Sequence, residues 1–368
     1  MKKKIIFIIG TRPDAIKMVS TIKQFENDPK FETILIATSQ HKKLLSDVVD
    51  LFSLKVDYDL KLMKKNQSLT ELSSRLLINL DKIFLKVNPS LIFVQGDTSS
   101  SMFAALAAFY RKIPVAHVEA GLRTWDNYAP FPEEVNRVFI DQLSEYLFPP
   151  TQMALKNLKD SGLSSRKILI TGNTGIDSLL MTIKSDIPFK NKLLRKIEME
   201  KIITVTTHRR ESFGKPLIMI LKAVAHLAGK FTDFKFILPV HPNPNVKENV
   251  QNKLKNIPNI ILTEPLIYPD FVRLMSRSYL IISDSGGVQE EAPVLGKPVI
   301  VLREKTERPE AVKNHAAVLT GHDTDLIIST VSRLIQDNKF YRSMAKVRYL
   351  YGNGTAGEKI FKFIRKEI

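Results

Sequence analysis

Carboxylates and arginines are concentrated in the stretch from His117 to Arg137. The apolar run that opens this stretch predicts a short buried strand, so Glu119 follows the carboxyl end of a strand, the edge at which open α/β sheets bind ligands. Further on, Pro132 marks the start of a predicted helix, and Glu133 and Glu134 occupy its first turn, where the helix dipole favours negative charge. Helix capping is the alternative for each glutamate alone, whereas the rest of the chain favours a functional role for Glu133.

Another carboxylate follows another predicted strand. The apolar run at residues 91–94 is followed by Gly96, Asp97 and a cluster of hydroxyl residues at the start of an apolar helix. Asp97 is also a suitable N-cap for that helix. If the two strands are neighbours, Asp97 and Glu119 lie side by side, and two carboxylates in different surroundings can divide the roles of acid and base.

A glycine turn follows the first predicted strand. The segment Gly10-Thr-Arg-Pro-Asp-Ala-Ile-Lys17 leads into a helix whose free amides can face an anion, with Arg12 and Lys17 beside them. The turn matches neither a Walker loop nor the dinucleotide-binding glycine pattern. By itself it is a weak indication of a phosphate site, and a plain strand-to-helix turn is the alternative.

The second half of the chain contains a stronger phosphate pattern. A predicted strand ends in Ser285-Gly-Gly287, which presents backbone amides at the start of a helix. Glu290 and Glu291 follow in the first turns, where a carboxylate can accept hydrogen bonds from ribose hydroxyls. Arg303 and Arg308 come after the next predicted strand, and for either cation a surface ion pair is the alternative.

His208 adjoins two arginines and a glutamate after the predicted strand 202–206, where a cation could meet a leaving diphosphate. A structural histidine is the alternative. No histidine belongs to the H-E-x-x-H spacing or to another metal-binding spacing, and the sequence has no G-x-S-x-G turn. We therefore predict no metal site and no serine nucleophile.

The length of 368 residues fits two domains, each large enough for its own core. No apolar run approaches the roughly 20 residues of a membrane span. The chain has no cysteine, which excludes disulfides and thiolate nucleophiles and makes a reducing cytoplasm the default location. The net charge of +17 would attract polyanions, but the lysines are scattered over helical segments, so nucleic-acid binding is the weaker alternative and an anionic small ligand suits the excess.

Short apolar runs alternate with helix-length amphipathic segments in both halves of the chain. The runs predict strands at residues 5–9, 33–37, 91–94 and 115–118, and again at 202–206, 234–240, 260–262, 280–282 and 299–302. This alternation is typical of parallel, doubly wound sheets, so we predict an α/β protein with two Rossmann-like domains. The predicted domains are residues 1–172 and 173–356, followed by a helix at 357–368 that could pack on either domain, the first being favoured.

Taken in order, these motifs resemble the non-hydrolysing UDP-N-acetylglucosamine 2-epimerases. The resemblance runs nearly end to end and implies the two-domain glycosyltransferase-B architecture, with the nucleotide held mainly by the second domain and the sugar in the cleft. It also implies a homodimer, and a product that supplies N-acetylmannosamine for surface polysaccharides. The segments that carry it are Gly10 to Met18, Gln40-His41, Gly96-Asp-Thr98, His117 to Arg137, Thr171-Gly-Asn-Thr174, His208-Arg-Arg-Glu211, His241, Ser283 to Pro293 and Thr306 to Glu310.

The reaction of this family requires proton transfer without a redox cofactor. The C–H bond at carbon 2 is not adjacent to a carbonyl carbon, so simple deprotonation would need an inaccessible carbanion. In the family mechanism a base removes this proton as UDP leaves carbon 1, giving 2-acetamidoglucal. UDP then adds back with protonation on the opposite face. By position, the resemblance assigns Asp97, Glu119 and Glu133 to acid–base roles and His208 to the departing UDP.

The resemblance also assigns residues to UDP and to a second, activating substrate site that is frequent in bacterial members. Departures from the family pattern are His315, where a glycine is usual, and Lys43 and Asn66, where a glutamine and an arginine are common. The diphosphate is assigned to Arg12, Lys17, Ser285, Gly286, Gly287 and Arg308, the ribose to Glu291, the uracil neighbourhood to Phe271, and the activating site to Gln40, His41, Gln67, Arg209 and His241.

Three alternatives share the fold. A hydrolysing epimerase would release free N-acetylmannosamine and UDP, but such relatives typically alter the G-T-R-P and E-A-G-L-R motifs, which are intact here. An epimerase for a modified UDP-sugar, such as a diacetamido uronic acid, is the nearer alternative, although relatives of that kind usually differ after G-T-R-P. Glycosyl transfer is disfavoured because no segment marks an acceptor site.

Overall fold

The structure of the chain, a computed structural model, describes residues 2–38, 42–64, 67–207 and 212–368, with only the backbone for 42–46. The chain forms two compact units, Met1–Leu180 with Tyr351–Ile368, and Met181–Leu350. Each unit has its own parallel sheet and its own apolar core. Within the described ranges, no helix is long and apolar enough to cross a membrane.

Strands and helices alternate through the first part of the chain, as the sequence predicted. Strands β1 to β7 are Lys3–Ile9, Phe31–Ala37, Tyr58–Asp59, Leu91–Gln95, Val115–Val118, Tyr146–Phe148 and Lys167–Ile168, and helices α1 to α7 are Arg12–Glu26, Lys42–Leu51, Leu69–Val87, Ser99–Tyr110, Glu133–Leu143, Gln152–Asp160 and Thr174–Lys184.

The sheet of the first unit is buried on both faces. Its described strands run in the order β3-β2-β1-β4-β5-β6-β7, and every pair is parallel. Residues 5–9 of β1 are all apolar and fully buried, which is the pattern of a central strand covered by helices on both sides. Helix α4 begins where the Thr98 hydroxyl accepts a hydrogen bond from the Ser101 amide (3.3 Å), so its start is fixed directly after β4.

The alternation continues in the second unit. Its described sheet has the order β10-β9-β8-β11-β12-β13, again with parallel pairs throughout. Strands β8 to β13 are Lys201–Thr206, Phe234–Pro239, Ile260–Thr263, Ser278–Ser283, Val299–Val301 and Ala317–Leu319; helices α8 to α15 are Lys192–Lys196, Lys215–Lys230, Pro244–Leu254, Tyr268–Arg277, Gly286–Glu291, Pro309–Lys313, Thr324–Gln336 and Asn338–Met344; and a short 3-10 helix spans Ala292–Leu295.

The last helix, α16 (Ala356–Glu367), completes the core of the first unit. Phe361 packs edge-on against Phe25 of α1, with ring centroids 5.1 Å apart, and Phe363 packs against Phe148 of β6 at 5.9 Å. The Arg365 side chain donates a hydrogen bond to Asp28 (2.6 Å). These contacts join α16 to α1 and to the sheet.

The division between the units falls within α7, after Leu180, whereas the sequence placed it after residue 172. The first turns of α7 are held by the first unit: the Ser178 hydroxyl donates to the carbonyl of Ile16, and Asp177 accepts from the amide of Gly357 (2.8 Å). Asn173 donates to the carbonyl of Tyr351 (2.6 Å), which brings the returning chain back to the same unit.

The nine predicted strands are all present, as β1, β2, β4, β5 and β8 to β12. Four further strands, β3, β6, β7 and β13, were not predicted. Each has only two or three residues, too few for an apolar run to stand out from its surroundings.

Candidate functional site

The ends of β4 and β5 lie side by side. The two strands are parallel neighbours with Gln95 opposite Val118, and the Gly96 amide donates to the Val118 carbonyl (3.0 Å). Asp97 and Glu119 therefore leave the sheet at the same edge, as the sequence predicted.

Glu119 leaves β5 with an unusual backbone. Its φ angle is +68°, a left-handed conformation that costs a residue other than glycine roughly 1–2 kcal/mol. One carboxylate oxygen accepts a hydrogen bond from the Gln95 side chain, and the other forms an ion pair with Lys17 of α1. A Cβ on Gly96 would stand 3.3 Å from the same carboxylate. The Glu119 carboxylate is thus fixed between two strand ends, with a cation beside it.

Asp97 is held by the first turns of α5. The Arg137 guanidinium forms an ion pair with the Asp97 carboxylate, and the Asn136 side chain donates to the Asp97 carbonyl (2.9 Å). The side chain of Asp97 keeps 28% of its surface exposed. The carboxylate is therefore both accessible and paired with a positive charge.

The two glutamates of the first turn of α5 have different surroundings. Glu134 is buried, and one of its oxygens accepts hydrogen bonds from the amides of Thr124 and Trp125, both at 3.0 Å. Glu134 thereby fixes the loop that follows β5. Glu133 is half-buried at the first position of the helix and takes no part in those contacts. Of the pair, Glu133 is the better candidate for chemistry.

Asp14 is a further buried carboxyl group at this edge and is not among the predicted site residues. Its Oδ2 accepts hydrogen bonds from the amides of Gly10 and Thr11, both at 3.0 Å, and from the Thr98 hydroxyl at 3.4 Å. Burial raises the pKa of Asp14 to about 6 against the opposing effect of these hydrogen bonds, and the Asp97 charge adds to the rise. The available signal was the capping box that Thr11 forms with Asp14 three residues later.

The glycine turn after β1 differs from the prediction of free amides facing an anion. The amides of Gly10 and Thr11 both donate to Asp14, the Asp14 amide donates to Thr11 Oγ1 (3.3 Å), and Pro13 has no amide hydrogen. An anion at this turn would therefore depend chiefly on the side chains of Arg12 and Lys17, which are both half-buried.

In the second unit, Arg308 lies against the turn at the start of α12. A Cβ built on Gly286 would stand only 2.8 Å from the guanidinium carbon of Arg308, so a residue larger than glycine would have to displace the guanidinium. Arg308 donates to Glu290 (2.9 Å) and forms an ion pair with Glu307 at the same distance. Ser285 caps the helix by accepting from the Val288 amide (3.5 Å). The structure thus brings together the predicted turn and one of the predicted cations.

The remaining predicted nucleotide contacts lie in the same unit. Gly287 follows Gly286 in α12, and Glu291 is half-buried at the end of that helix. Of the two neighbouring glutamates, Glu290 accepts the hydrogen bond from Arg308. The assignment of the ribose to Glu291 therefore stays a prediction. Phe271 of α11 is half-buried against an apolar cluster that includes Phe189 and Leu266. Its role beside the uracil also stays a prediction.

Comparison with known proteins identifies the family. The family model described as UDP-N-acetylglucosamine 2-epimerase matches residues 23–365. The chain belongs to the UDP-N-acetylglucosamine 2-epimerase family. It is 42% identical to the UDP-N-acetylglucosamine 2-epimerase of Escherichia coli K12, over 98% of each chain.

Solved structures of this family share the fold. The Neisseria meningitidis 2-epimerase bound to UDP-N-acetylglucosamine matches with a TM-score of 0.91 and 41% identity, covering 99% of this chain and 100% of that one. The Methanocaldococcus jannaschii 2-epimerase in complex with UDP-N-acetylglucosamine and UDP matches with a TM-score of 0.83 and 34% identity, covering 99% of each chain. The expected α/β architecture of the glycosyltransferase-B type is confirmed.

The positions that match the activating site of the 2-epimerase family are only partly described. Gln40, His41 and Arg209 lie outside the described residues, as does His208 of the proposed catalytic set. Gln67 accepts a hydrogen bond from the Lys64 amide (3.0 Å) and another from Arg75. His241 accepts from the Asn243 amide (3.2 Å). Both described side chains are held locally, and activation by substrate stays a prediction.

One departure from the 2-epimerase pattern, His315, lies at a position with an unusual backbone conformation. His315 stands where the family usually has glycine, and its φ angle is +54°, in the left-handed region that favours glycine. The turn therefore has a backbone conformation that favours glycine, although a histidine occupies it.

Proposed function

We propose that the chain interconverts UDP-N-acetylglucosamine and UDP-N-acetylmannosamine by inverting carbon 2 of the sugar. The observation that carries the proposal is the pair of strand ends at β4 and β5, where Asp97 and Glu119 leave the sheet together and each carboxylate is paired with a cation. Inversion needs one group to remove a proton and another to deliver it on the opposite face. Neighbouring carboxylates in different surroundings suit such a division.

The proposed reaction is elimination followed by addition. A carboxylate takes the proton from carbon 2, the C–H electrons form the carbon 1–carbon 2 double bond, and the bond from carbon 1 to the diphosphate oxygen breaks with its electrons on UDP. The intermediate is 2-acetamidoglucal with free UDP. UDP then adds to carbon 1 while an acid group protonates carbon 2 from the other face. The two reaction steps together are redox-neutral, which is why no redox cofactor is proposed.

Each residue has a proposed role. Asp97, Glu119 and Glu133 exchange the proton, and His208 assists the departing diphosphate. Arg12 and Lys17, with Ser285, Gly286, Gly287 and Arg308, hold the diphosphate; Glu291 holds the ribose and Phe271 lies near the uracil. The contact between Arg308 and Gly286 supports this assignment, because it places a guanidinium at a helix start, where anions are favoured.

The deciding experiment is a proton NMR time course with UDP-N-acetylglucosamine in heavy water. We expect UDP-N-acetylmannosamine to appear and the carbon-2 proton to be lost from the sugar. Release of free N-acetylmannosamine and UDP would replace the proposal with hydrolysis. An unchanged spectrum, followed by turnover of a diacetamido UDP-sugar, would assign the chain to a modified substrate. UDP-N-acetylmannosamine, or its modified counterpart, would supply a sugar unit for surface polysaccharide synthesis. The expected cytoplasmic location suits a nucleotide-sugar substrate.

A homodimer is proposed on the basis of the exposed apolar side chains of α3, α4 and α5, which pack side by side. Leu85 of α3 is 67% exposed, Tyr110 of α4 is 64% exposed and Phe139 of α5 is 52% exposed. Apolar surface of this kind commonly marks a protein interface. Sedimentation equilibrium should give a dimer for the wild-type chain and a shift toward monomer for Leu85→Glu. A monomeric wild type would contradict the assembly and leave the proposed reaction untouched.

A further inference from the structure

Three ionisable side chains form a buried cluster close to the ends of β4 and β5. His117 of β5 and Asp141 of α5 are fully buried, and the Arg123 side chain is 1% exposed. His117 Nδ1 lies 2.7 Å from one Asp141 oxygen, and Arg123 lies 2.7 Å from the other. The Gly121 amide donates to that second oxygen as well (3.2 Å). The Asp141 carboxylate is therefore contacted by a histidine, an arginine and a backbone amide.

The second nitrogen of His117 reaches a different segment. Nε2 lies 2.8 Å from the carbonyl oxygen of Gly96. A carbonyl oxygen only accepts hydrogen bonds, so Nε2 is the donor, and the Asp141 carboxylate is likewise an acceptor for Nδ1. The imidazole thus bridges two acceptors, one on the turn after β4 and one on α5.

The segments joined by this cluster are those that carry the proposed catalytic carboxylates. Gly96 directly precedes Asp97. Gly121 and Arg123 belong to the loop that begins with Glu119. Asp141 is on the helix that begins with Glu133. His117 therefore contacts the turn after β4 with one ring nitrogen and α5 with the other.

Stability of the fold gives little reason for such a cluster. Replacing a buried ion pair with apolar residues of similar volume is often neutral or stabilising, because the charges must be desolvated. A buried polar network instead fixes the positions of the groups that it joins. What His117 fixes is the Gly96 carbonyl, and with it the turn that presents Asp97.

We propose that His117 and Asp141 are positioning residues for the epimerisation: they set the separation between the Asp97 turn and the Glu119 loop. Neither side chain touches the substrate in this proposal, which rests on the proposed function. An error of about 1 Å in the placement of a catalytic group can lower a rate roughly 100-fold, so a single lost hydrogen bond at Gly96 is enough to be measured.

Two substitutions at His117 separate its two hydrogen bonds. The amide of asparagine reaches about as far as Nδ1, so His117→Asn keeps a donor for Asp141 and loses the bond to Gly96. The amide of glutamine reaches about as far as Nε2, so His117→Gln keeps a donor for Gly96 and loses the contact with Asp141. Both variants are neutral and similar in size, which makes each the control for the other.

The readouts are kcat and KM for UDP-N-acetylglucosamine, UDP affinity by calorimetry, and Tm. We expect His117→Asn to lower kcat about 100-fold and His117→Gln to lower it less than about 10-fold, with KM and UDP affinity unchanged in both. Equal losses of kcat in the two variants, or losses that follow Tm, would reduce His117 to a structural role and overturn the proposal. If His117→Asn does not fold, Asp141→Asn takes its place, and a wild-type kcat there overturns the proposal. A wild-type chain that binds UDP without turnover would instead refute the proposed function.

Discussion

Lys17 of helix α1 forms an ion pair with Glu119, the residue that follows strand β5. The sequence gives the two residues separate proposed roles, Lys17 with the diphosphate and Glu119 with the carbon-2 proton. The ion pair connects these roles, because a diphosphate that binds Lys17 competes with the Glu119 carboxylate for the same ammonium group. Departure of UDP and transfer of the proton would then share one cation.

Replacing Lys17 tests this connection. Lys17→Met removes the cation beside Glu119 and one of the proposed diphosphate ligands, so we expect kcat/KM to fall about 100-fold or more, as when one electrostatic donor is removed from an active site. Lys23→Met is the matched control, since Lys23 is on the same helix and pairs with Glu26 on the surface. Equal activity in the two variants would show that the ion pair plays no part in turnover.

The two carboxylates at the strand ends should be indispensable for proton exchange. We expect Asp97→Asn and Glu119→Gln each to lower turnover and loss of the carbon-2 proton at least about 1,000-fold, with UDP affinity kept within about threefold. Glu145→Gln is the control: Glu145 directly precedes β6, at the opposite edge of the same sheet, and pairs with Lys167. Near-normal turnover in both site variants would refute the assignment.

The contact of Gly286 with Arg308 predicts a difference between two adjacent glycines. Gly286→Ala places a methyl group 2.8 Å from the guanidinium carbon and must displace Arg308, whereas the nearest atom to a Cβ on Gly287 is at 3.8 Å. We expect UDP affinity to fall about tenfold in Gly286→Ala, the loss of one charge-assisted contact, and to change less than threefold in Gly287→Ala. Calorimetric titration with UDP measures both. A larger loss in Gly287→Ala would mean that the ligand approaches the second glycine instead.

Asp14 predicts a pH dependence of stability. Its ordinary pKa is 3.8 and burial raises it to about 6 in the folded chain. A carboxyl group that holds its proton more tightly when folded costs stability once it ionises. The cost is absent below the unfolded pKa, grows as the pH rises toward about 6, and is complete above it, at about 3 kcal/mol.

The Asp14→Asn variant should reveal this cost. Its side-chain oxygen can still accept from the amides of Gly10 and Thr11, but it carries no charge. We expect the Tm of the variant minus that of the wild type to be close to zero near pH 4 and to become positive by about pH 7. Asp160→Asn, on the surface of α6, should show no such trend. A difference that stays constant with pH would contradict the raised pKa.

His315 predicts a simple gain in stability. Its side chain is exposed, and its φ angle of +54° lies directly after the end of α13, where glycine is preferred. His315→Gly should therefore raise the free energy of unfolding by about 0.5–1 kcal/mol. His315→Ala keeps a Cβ and should give no gain. Denaturant unfolding of the three chains checks the order, and a loss with glycine would contradict it.

The strand ends were predictable from the sequence, whereas the partners of the site residues were not. Asp97 and Glu119 follow apolar runs, so a parallel sheet was enough to place them together. The pairing of Asp97 with Arg137 joins residues 40 positions apart in the chain, and that of His117 with Asp141 joins residues 24 apart. Such contacts depend on how α5 packs against the sheet, and no local pattern encodes that packing.

Contacts between distant segments also explain why the first glycine turn differs from its prediction. The pattern around Gly10 suggested free amides, but the Asp14 carboxyl group accepts hydrogen bonds from two of them and another from the Thr98 hydroxyl, which is distant in the chain. In the second unit the predicted phosphate turn and one of the predicted arginines do lie together, although Gly286 and Arg308 belong to different segments of the chain. His208, Arg209, Gln40 and His41 remain sequence predictions.

The return of α16 to the first unit has a consequence for synthesis on the ribosome. Phe25 of α1 and Phe148 of β6 pack against Phe361 and Phe363 of α16. These two partners are translated only after the whole of Met181–Leu350. At about 5–20 residues per second, that delay is roughly ten to thirty seconds. Throughout this interval the first unit exposes to chaperones the apolar surface that α16 later covers. The core of the first unit can therefore be completed only after the second unit has been translated.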